Sequence, residues 1–291
     1  MMTKEKLKRY GPSGRTDVSI VWKLPVIFFI LLIAVYTEYQ LKISVISAYF
    51  FPLSFVVLLI VTGLATSLTI RWSKIRSVPV AVVIGTLIGA GILYTGWLLI
   101  LPSRLSSVGI QVVPLITLLT PSEVVGYAAE IASTGWPELS NIPFASELLA
   151  FAWTLEAMAL FFYPAYKARS AVEVSVFCES CNEWANEEKG LVAFHHPAQE
   201  MLEQSFLAAD LGYMDNAKAI FNAPMSDYYR IDGIVCYACN DFFGVTLNRV
   251  YKASDIDKGR VRPLVKQLLV PRAYFQHLQV VSSHFPAPER D

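Results

Sequence analysis

The chain has 291 residues, of which 54% are hydrophobic and only 16% are charged, and its mean hydropathy is +0.45. Such a composition differs from that of an average soluble domain and predicts a membrane protein. The formal net charge is zero and the pI is near 6.9, which excludes the strongly basic character of nucleic-acid-binding proteins, so no nucleic-acid partner is expected.

The apolar residues are concentrated before residue 167, and most Asp, Glu and His residues follow it. This shift predicts three parts. Residues 1–19 form a basic N-terminus, residues 20–169 a transmembrane domain, and residues 170–291 a polar domain.

Four segments are long enough to cross a bilayer as helices, which takes about 20 apolar residues. A cleaved signal peptide is the alternative interpretation of the first, but a long polar stretch precedes it and no small-x-small cleavage pattern follows it. The lipid bilayer is thus an expected partner of all four segments, which run approximately over Ile20–Tyr39, Ile46–Leu68, Val78–Leu101 and Ile142–Tyr166.

The distribution of Lys and Arg predicts the orientation, because positively charged loops stay in the cytoplasm. Basic residues precede the first segment, fill "RWSKIRS" between the second and third, and follow the fourth. Both termini are therefore expected in the cytoplasm of a bacterial inner membrane protein.

The opposite loop at about 102–141 contains the apolar run "VGIQVVPLITLL", which is too short to span the bilayer. It suits either a re-entrant or interfacial piece, with Trp136 as an interfacial anchor, or a packed cap over the helices.

Glu156 is the most unusual residue of the predicted membrane domain, since a carboxylate in a membrane helix is unfavourable unless it is protonated or paired. It forms either a proton- or cation-coupled site of a transporter, with Trp153 one turn away, or a structural hydrogen bond to hydroxyls such as Ser67 or Thr95. Gly85 and Gly89 in the third segment predict close packing against another helix.

The only cysteines form two matched motifs, "VFCESCNEW" and "IVCYACNDF". A cytoplasmic location disfavours disulfides, so Cys-x-x-Cys there binds metal or performs redox chemistry. Asn follows each pair, where a zinc knuckle often needs positive φ. Two such pairs complete the tetrahedral set of structural Zn²⁺, so the predicted metal ligands are Cys178, Cys181, Cys236 and Cys239.

Redox-active dithiols, or cysteines that only fill a small core, are the two alternatives. His195 and His196 are not expected to bind the metal, because four sulfurs already fill a tetrahedron.

Residues 182–235 separate the pairs, which exceeds the usual spacing of about 15–20 residues in zinc ribbons. This insertion is predicted to be a helical hairpin, with one helix after Pro197 in "AQEMLEQSFLA" and a second in "DNAKAIF" capped by Asp215. Beyond it, "FGVTLNRVY" and "RPLVKQLLV" predict strands, and Pro271 begins a helix.

The predicted fold is therefore an all-α membrane domain of four transmembrane helices, followed by a small α+β zinc-ribbon-like domain with a helical-hairpin insertion. A core this small predicts that metal binding and folding are coupled.

The order of four hydrophobic segments, "RWSKIRSVPVAVVIG", the Trp-x-x-Glu of "WTLE" and the two Cys-x-x-Cys pairs resembles a group of uncharacterised bacterial inner-membrane proteins with a cytoplasmic zinc-ribbon-like tail. The resemblance implies this architecture and a role for Glu156, but no activity.

The sequence contains no phosphate-binding Gly-rich loop, Gly-x-Ser-x-Gly or His-Glu-x-x-His motif, and a fourth thiolate leaves no open position for catalysis at the metal. We therefore expect a non-enzymatic, membrane-tethered interaction or assembly module with a protein partner, either itself or another protein. The alternative is a transporter or channel subunit that uses Glu156 and carries a metal- or redox-sensing tail.

Overall fold

A computed structural model describes residues 7–16, isolated positions between 23 and 36, residues 47–107, isolated positions between 120 and 129, and residues 145–196, 198–208, 210–219, 227–251 and 260–285. The chain divides into two compact units. The helical unit is Ser13–Val174, and the sheet unit combines Met1–Pro12 with Ser175–Asp291.

The helical unit contains α1 (Ser47–Trp72), α2 (Val78–Ser107) and α3 (Ala145–Val174). Among the described residues, two stretches are long and apolar enough to cross a membrane, Phe55–Trp72 and Val78–Leu99. Four crossings are therefore not supported, and two are.

The other two predicted crossings are the first and the fourth, and the structure describes them to different extents. The fourth forms α3, which is not among the spanning stretches found in the described residues. Described positions of the first are helical, but much of that segment lies outside the described residues, as do the apolar run 108–119 and Trp136.

Two glycines allow α2 to approach the backbone of α3, as the sequence predicted. A Cβ at Gly85 would lie 2.6 Å from the Pro164 carbonyl oxygen, and one at Gly89 would overlap the Leu160 carbonyl oxygen. Pro164 has no amide hydrogen to donate to that same Leu160 carbonyl. Pro164 and Gly89 thus both lie against the Leu160 carbonyl, and a contact from the Cα–H of Gly89 is the interaction that remains available to this oxygen.

We expect Gly89→Ala to weaken the packing of α2 against α3 by about 1–3 kcal/mol, because backbone atoms cannot move away as a flexible side chain can. Gly96→Ala is the matched control on the same helix, since its Cβ would make an ordinary 4.0 Å contact with Val35. Thermal unfolding of the detergent-solubilised variants measures both. Equal midpoints for the two variants would contradict this packing.

The sheet unit is built on a five-stranded antiparallel sheet of order β4-β3-β5-β6-β7, beside a two-stranded hairpin, β1-β2. The elements in chain order are β1 (Phe177–Cys178), β2 (Glu183–Trp184), β3 (Asn186–His195), α4 (Gln199–Leu207), a 3-10 helix (Leu211–Asn216), β4 (Lys218–Ala219), β5 (Tyr228–Val235), β6 (Phe243–Tyr251), β7 (Arg260–Leu269) and α5 (Arg272–Ser282).

The predicted strands in "FGVTLNRVY" and "RPLVKQLLV" and the helix after Pro271 are confirmed as β6, β7 and α5. The predicted helical hairpin is wrong in its second half. Its first helix exists as α4, but "DNAKAIF" begins at the end of the 3-10 helix and continues into β4, which pairs with β3.

The core of the sheet unit is larger than the sequence suggested. Side chains of β3, β5, β6 and β7 pack against α4 and α5, and Phe194, Phe206 and Phe275 are fully or almost fully buried. The expectation of a thin core is wrong because it omitted β3 and β5, which supply Val192, Phe194 and Ile231 among others. The sheet therefore has an apolar core of its own.

The N-terminal segment, residues 7–10, lies along the outer edge of β7. Arg9 is bridged to Leu268, the Tyr10 amide donates to the Gln267 carbonyl at 2.8 Å, and the Leu269 amide donates to the Lys8 carbonyl at 2.9 Å. The segment thus covers an edge whose backbone groups would otherwise be open to other strands.

Candidate metal centre

The first Cys-x-x-Cys pair is held at the end of the β1-β2 hairpin. Phe177 is paired with Trp184 and Cys178 with Glu183, so the chain reverses around Cys181. Phe177 is fully buried and its ring meets that of Trp184 edge-to-face at 5.0 Å. A buried aromatic residue therefore anchors the residue that precedes the first thiol.

The second pair occupies the connection between β5 and β6. Val235 is paired with Phe243, and the intervening chain is closed by two hydrogen bonds, Asn240 amide to Cys236 carbonyl at 3.0 Å and Cys236 amide to Phe242 carbonyl at 3.2 Å. This half-site is therefore part of the main sheet.

The asparagines that follow the pairs adopt left-handed backbone conformations, with φ of 55° at Asn182 and 54° at Asn240. Asn tolerates positive φ better than most residues other than Gly. The prediction made from their shared position is confirmed, and the two half-sites share this local geometry.

The fold brings all four sulfurs together. Each lies within 4.8 Å of the others, and the Cys178 and Cys239 sulfurs, from different pairs, are 3.7 Å apart. Cys178 and Cys236 are buried, and Cys181 and Cys239 are half-buried. Zn–S bonds of about 2.3 Å imply sulfur–sulfur edges of about 3.8 Å in a tetrahedron. The cluster is therefore able to coordinate one metal ion.

Protonation differs among the thiols when no metal is bound. The Asp241 backbone amide and the Cys181 side chain donate to Cys239 and lower the pKa of Cys239 to about 7, whereas donation to Cys239 raises the pKa of Cys181. Burial raises the pKa of Cys236. Metal binding requires deprotonated sulfur, so loading should release protons.

In the metal-free protein we expect Cys239 to be alkylated by iodoacetamide before Cys181 at neutral pH. The thiolate is the nucleophile, so alkylation of Cys239 should be slow below pH 7 and rise through a midpoint of about 7. Peptide mass spectrometry at successive times and pH values measures this. Faster labelling of Cys181, or loss of the early phase in a Cys181→Ser rather than a Cys239→Ser variant, would contradict the assignment.

The neighbouring histidines have other partners. His195 Nδ1 lies 2.9 Å from the Asp227 carbonyl and donates to it, while His196 Nδ1 accepts from the Ala198 amide at 3.2 Å. Neither belongs to the four-thiol cluster. They connect the end of β3 to β5 and to the start of α4.

Glu156 and Trp153 lie in α3 of the helical unit, whereas the four cysteines belong to the sheet unit. Glu156 is half-buried, and the Trp153 ring is 6.3 Å from that of Trp97 in α2. Ser67 and Thr95 donate their hydroxyl hydrogens to Gly63 and Gly91 of their own helices, so those hydrogens are already engaged.

Tyr10 is the residue near the candidate metal centre that the sequence did not indicate. Its hydroxyl accepts from the Phe177 amide at 3.2 Å, and its ring meets Phe242 edge-to-face at 6.4 Å. No local pattern reveals this contact, because Tyr10 and Phe177 are 167 positions apart in the chain.

Comparison with known proteins identifies no relative: no protein-family model matches the chain, and neither a curated protein nor a solved structure matches it significantly.

Proposed function

We propose that this protein is a membrane-anchored interaction or assembly module whose sheet unit is stabilised by one structural Zn²⁺. The observation that carries the metal site is the clustering of four sulfurs within 4.8 Å of one another. Four thiolates with tetrahedral spacing suit Zn²⁺ in a closed, non-catalytic site. In this proposal Cys178, Cys181, Cys236 and Cys239 are the ligands.

The redox alternative is less compatible with the geometry. A dithiol enzyme needs one reactive pair, whereas here Cys178 of one motif lies 3.7 Å from Cys239 of the other. All four cysteines are free thiols. A shared metal accounts for the convergence of both pairs, and independent dithiols do not.

Membrane insertion is supported by the exposed apolar surface of the helical unit. Leu87 of α2 is 65% exposed and Phe162 of α3 is 70% exposed. Side chains of this size are unfavourable in water over such an area, and lipid is the environment that accommodates them.

The finer proposal of four crossings is supported by the packing within the helical unit. The Leu160–Ala165 part of α3 lies against the middle of the spanning stretch of α2, at Gly85 and Gly89, which favours a location of α3 within the hydrocarbon.

Two described positions of the first hydrophobic segment contact the same helices. Lys23 donates to the carbonyl of Trp72 at the end of α1, and Val35 contacts the position of Gly96 near the far end of the α2 span.

An even number of crossings agrees with the sheet unit. Residues 7–10 pair with β7, which supports the proposal that the chain before the helices and the domain after them share one side of the membrane. The basic residues of "RWSKIRS" favour the cytoplasmic side, and we propose a bacterial inner-membrane location on that basis.

An interaction role is supported by the exposed surface beside the cysteines. Tyr237, inside the second Cys-x-x-Cys motif, is 58% exposed and donates to Glu188 at 2.5 Å. Exposed aromatic residues held in one orientation are typical of protein interfaces.

The experiment that tests the proposal combines metal analysis of the purified full-length protein with reconstitution of Glu156→Gln. One zinc per chain and no ion or proton flux in either wild-type or variant vesicles is the expected result. No bound metal would remove the structural site. Flux that Glu156→Gln abolishes while leaving assembly intact would favour the transporter alternative.

A transporter site at Glu156 has less support than the interaction role, because α1 and α2 contain no acidic residue that could act together with it.

A further inference from the structure

Tyr10 touches the chain beside both halves of the cysteine cluster. Its hydroxyl accepts from the amide of Phe177, which directly precedes Cys178, and its ring packs against Phe242, which closes the second half-site by accepting from the Cys236 amide. Its contacts therefore depend on how the two half-sites are placed relative to each other.

The remainder of the segment holds Tyr10 in this place. Backbone hydrogen bonds join Tyr10 to Gln267 and Lys8 to Leu269, and Leu7 packs against the core of the sheet unit. The β7 edge and the core therefore fix the direction from which Tyr10 reaches the two half-sites.

A metal ion held by four thiolates requires the same relative placement. The first half-site belongs to a two-stranded hairpin and the second to the five-stranded sheet. The pairing of Asn186 with Val235 joins them at one point, and the contacts of Tyr10 join them at another. Docking of Tyr10 and binding of the metal therefore favour the same arrangement of the half-sites. Each of the two stabilises the other, and the coupling is reciprocal.

We propose that Tyr10 is a positioning residue of the metal centre, so that docking of residues 7–10 slows metal release and metal loading in turn holds the segment on β7. This inference rests on the proposed zinc site and assigns its regulation to the chain's own N-terminus.

The test uses the full-length protein in detergent micelles, loaded with Zn²⁺ and challenged with a chromogenic chelator. Tyr10→Ala should release zinc about 5-fold faster or more, within the range of typical coupling between sites. Tyr10→Phe keeps the ring and loses the acceptor for the Phe177 amide, so an intermediate rate is expected. Arg9→Ala is the matched control, since Arg9 is an exposed neighbour in the same segment, and it should leave the rate unchanged.

Two further measurements separate positioning from general stability. The absorption of the Co²⁺-substituted protein should change in Tyr10→Ala, because the tetrahedron is less well fixed. In the wild type, zinc removal should increase hydrogen exchange at the Tyr10 amide, which is the donor from residues 8–10 to β7, while the amides of β5 and β6 keep their protection.

Equal release rates in wild type and Tyr10→Ala, or exchange at the Tyr10 amide that does not respond to zinc removal, would overturn the inference while leaving the zinc site intact. Parallel loss of protection in β5 and β6 would also overturn it, because the segment would then report only unfolding. A wild-type protein without bound zinc would instead remove the proposed site itself.

Discussion

Cys178→Ser is expected to weaken zinc binding by the full-length protein roughly 100- to 1000-fold. Structural zinc sites contribute about 10–16 kcal/mol, so an equal share for each of four thiolates is about 2.5–4 kcal/mol. Competition with a chelator of known affinity measures the change. The Cys178 sulfur is buried and 3.7 Å from that of Cys239, so replacing it by a serine hydroxyl would leave the metal with only three thiolate ligands.

Ser180→Ala is the matched control, because the Ser180 hydroxyl lies 3.8 Å from the Cys178 sulfur without belonging to the thiol cluster. It should bind zinc as the wild type does. Zinc affinity that is retained in Cys178→Ser, or lost equally in Ser180→Ala, would contradict the ligand assignment.

Cys178→Ser should nevertheless leave most of the five-stranded sheet folded. Phe194, Phe206 and Phe275 form a core within the sheet unit, and none of them lies beside a cysteine in the chain. We expect a lower thermal midpoint while the amides of β5 and β6 stay protected from hydrogen exchange. Complete loss of that protection would instead support the full coupling of folding to metal that the sequence alone suggested.

Asp232→Ala is expected to destabilise the sheet unit by about 3–5 kcal/mol, which is the effect of breaking a buried charge pair from one side. Asp232 in β5 is only 2% exposed. Its carboxylate accepts from the Gly190 amide at 2.7 Å, from Asn248 at 2.7 Å and from Arg230 at 2.9 Å. The alanine variant leaves all three donors without this acceptor.

The pairing of β3 with β5 explains why a carboxylate stands inside the sheet. The register shifts between Glu188 and Val192, and Gly190 adopts a φ of 75° within this bulge. Across this shift β3 contains two more residues than β5, and the extra residues of a bulge are left out of the ladder. Asp232 accepts from the Gly190 amide and so satisfies a donor that the strands themselves do not pair.

Asp227→Ala provides the comparison for Asp232→Ala. Asp227 makes an ion pair of the same kind with Arg249 at 2.8 Å, but the two side chains are 39% and 29% exposed. Solvated pairs contribute about 0–1 kcal/mol. Denaturant unfolding of both variants measures the difference, and a similar loss in each would show that the Asp232 network adds no more than a surface pair.

The elements after the second cysteine pair could be predicted because their signals are local. Alternation over β6 and β7 and the proline before α5 each act within a few residues. The positive φ of Asn182 and Asn240 was predictable for the same reason, since a tight turn after Cys-x-x-Cys limits the residues that fit.

The insertion was mispredicted where local preference and tertiary pairing compete. "DNAKAIF" has helical propensity, yet Ala219 is paired with Phe194 of β3. Without β4, β3 would be the edge of the sheet, and this edge offers hydrogen bonds that a short isolated helix lacks. β3 was missed because the bulge at Gly190 interrupts its alternation.

The sequence by itself determined the two-part character of the chain, the glycine packing surface of α2 and the identity of the four clustered thiols, because composition and residue spacing carry that information directly. Only the tertiary structure decided that both cysteine pairs converge, that Asp232 is satisfied inside the sheet and that Tyr10 reaches both half-sites. These are contacts between residues far apart in the chain, and they form only when distant segments pack together in the folded sheet unit.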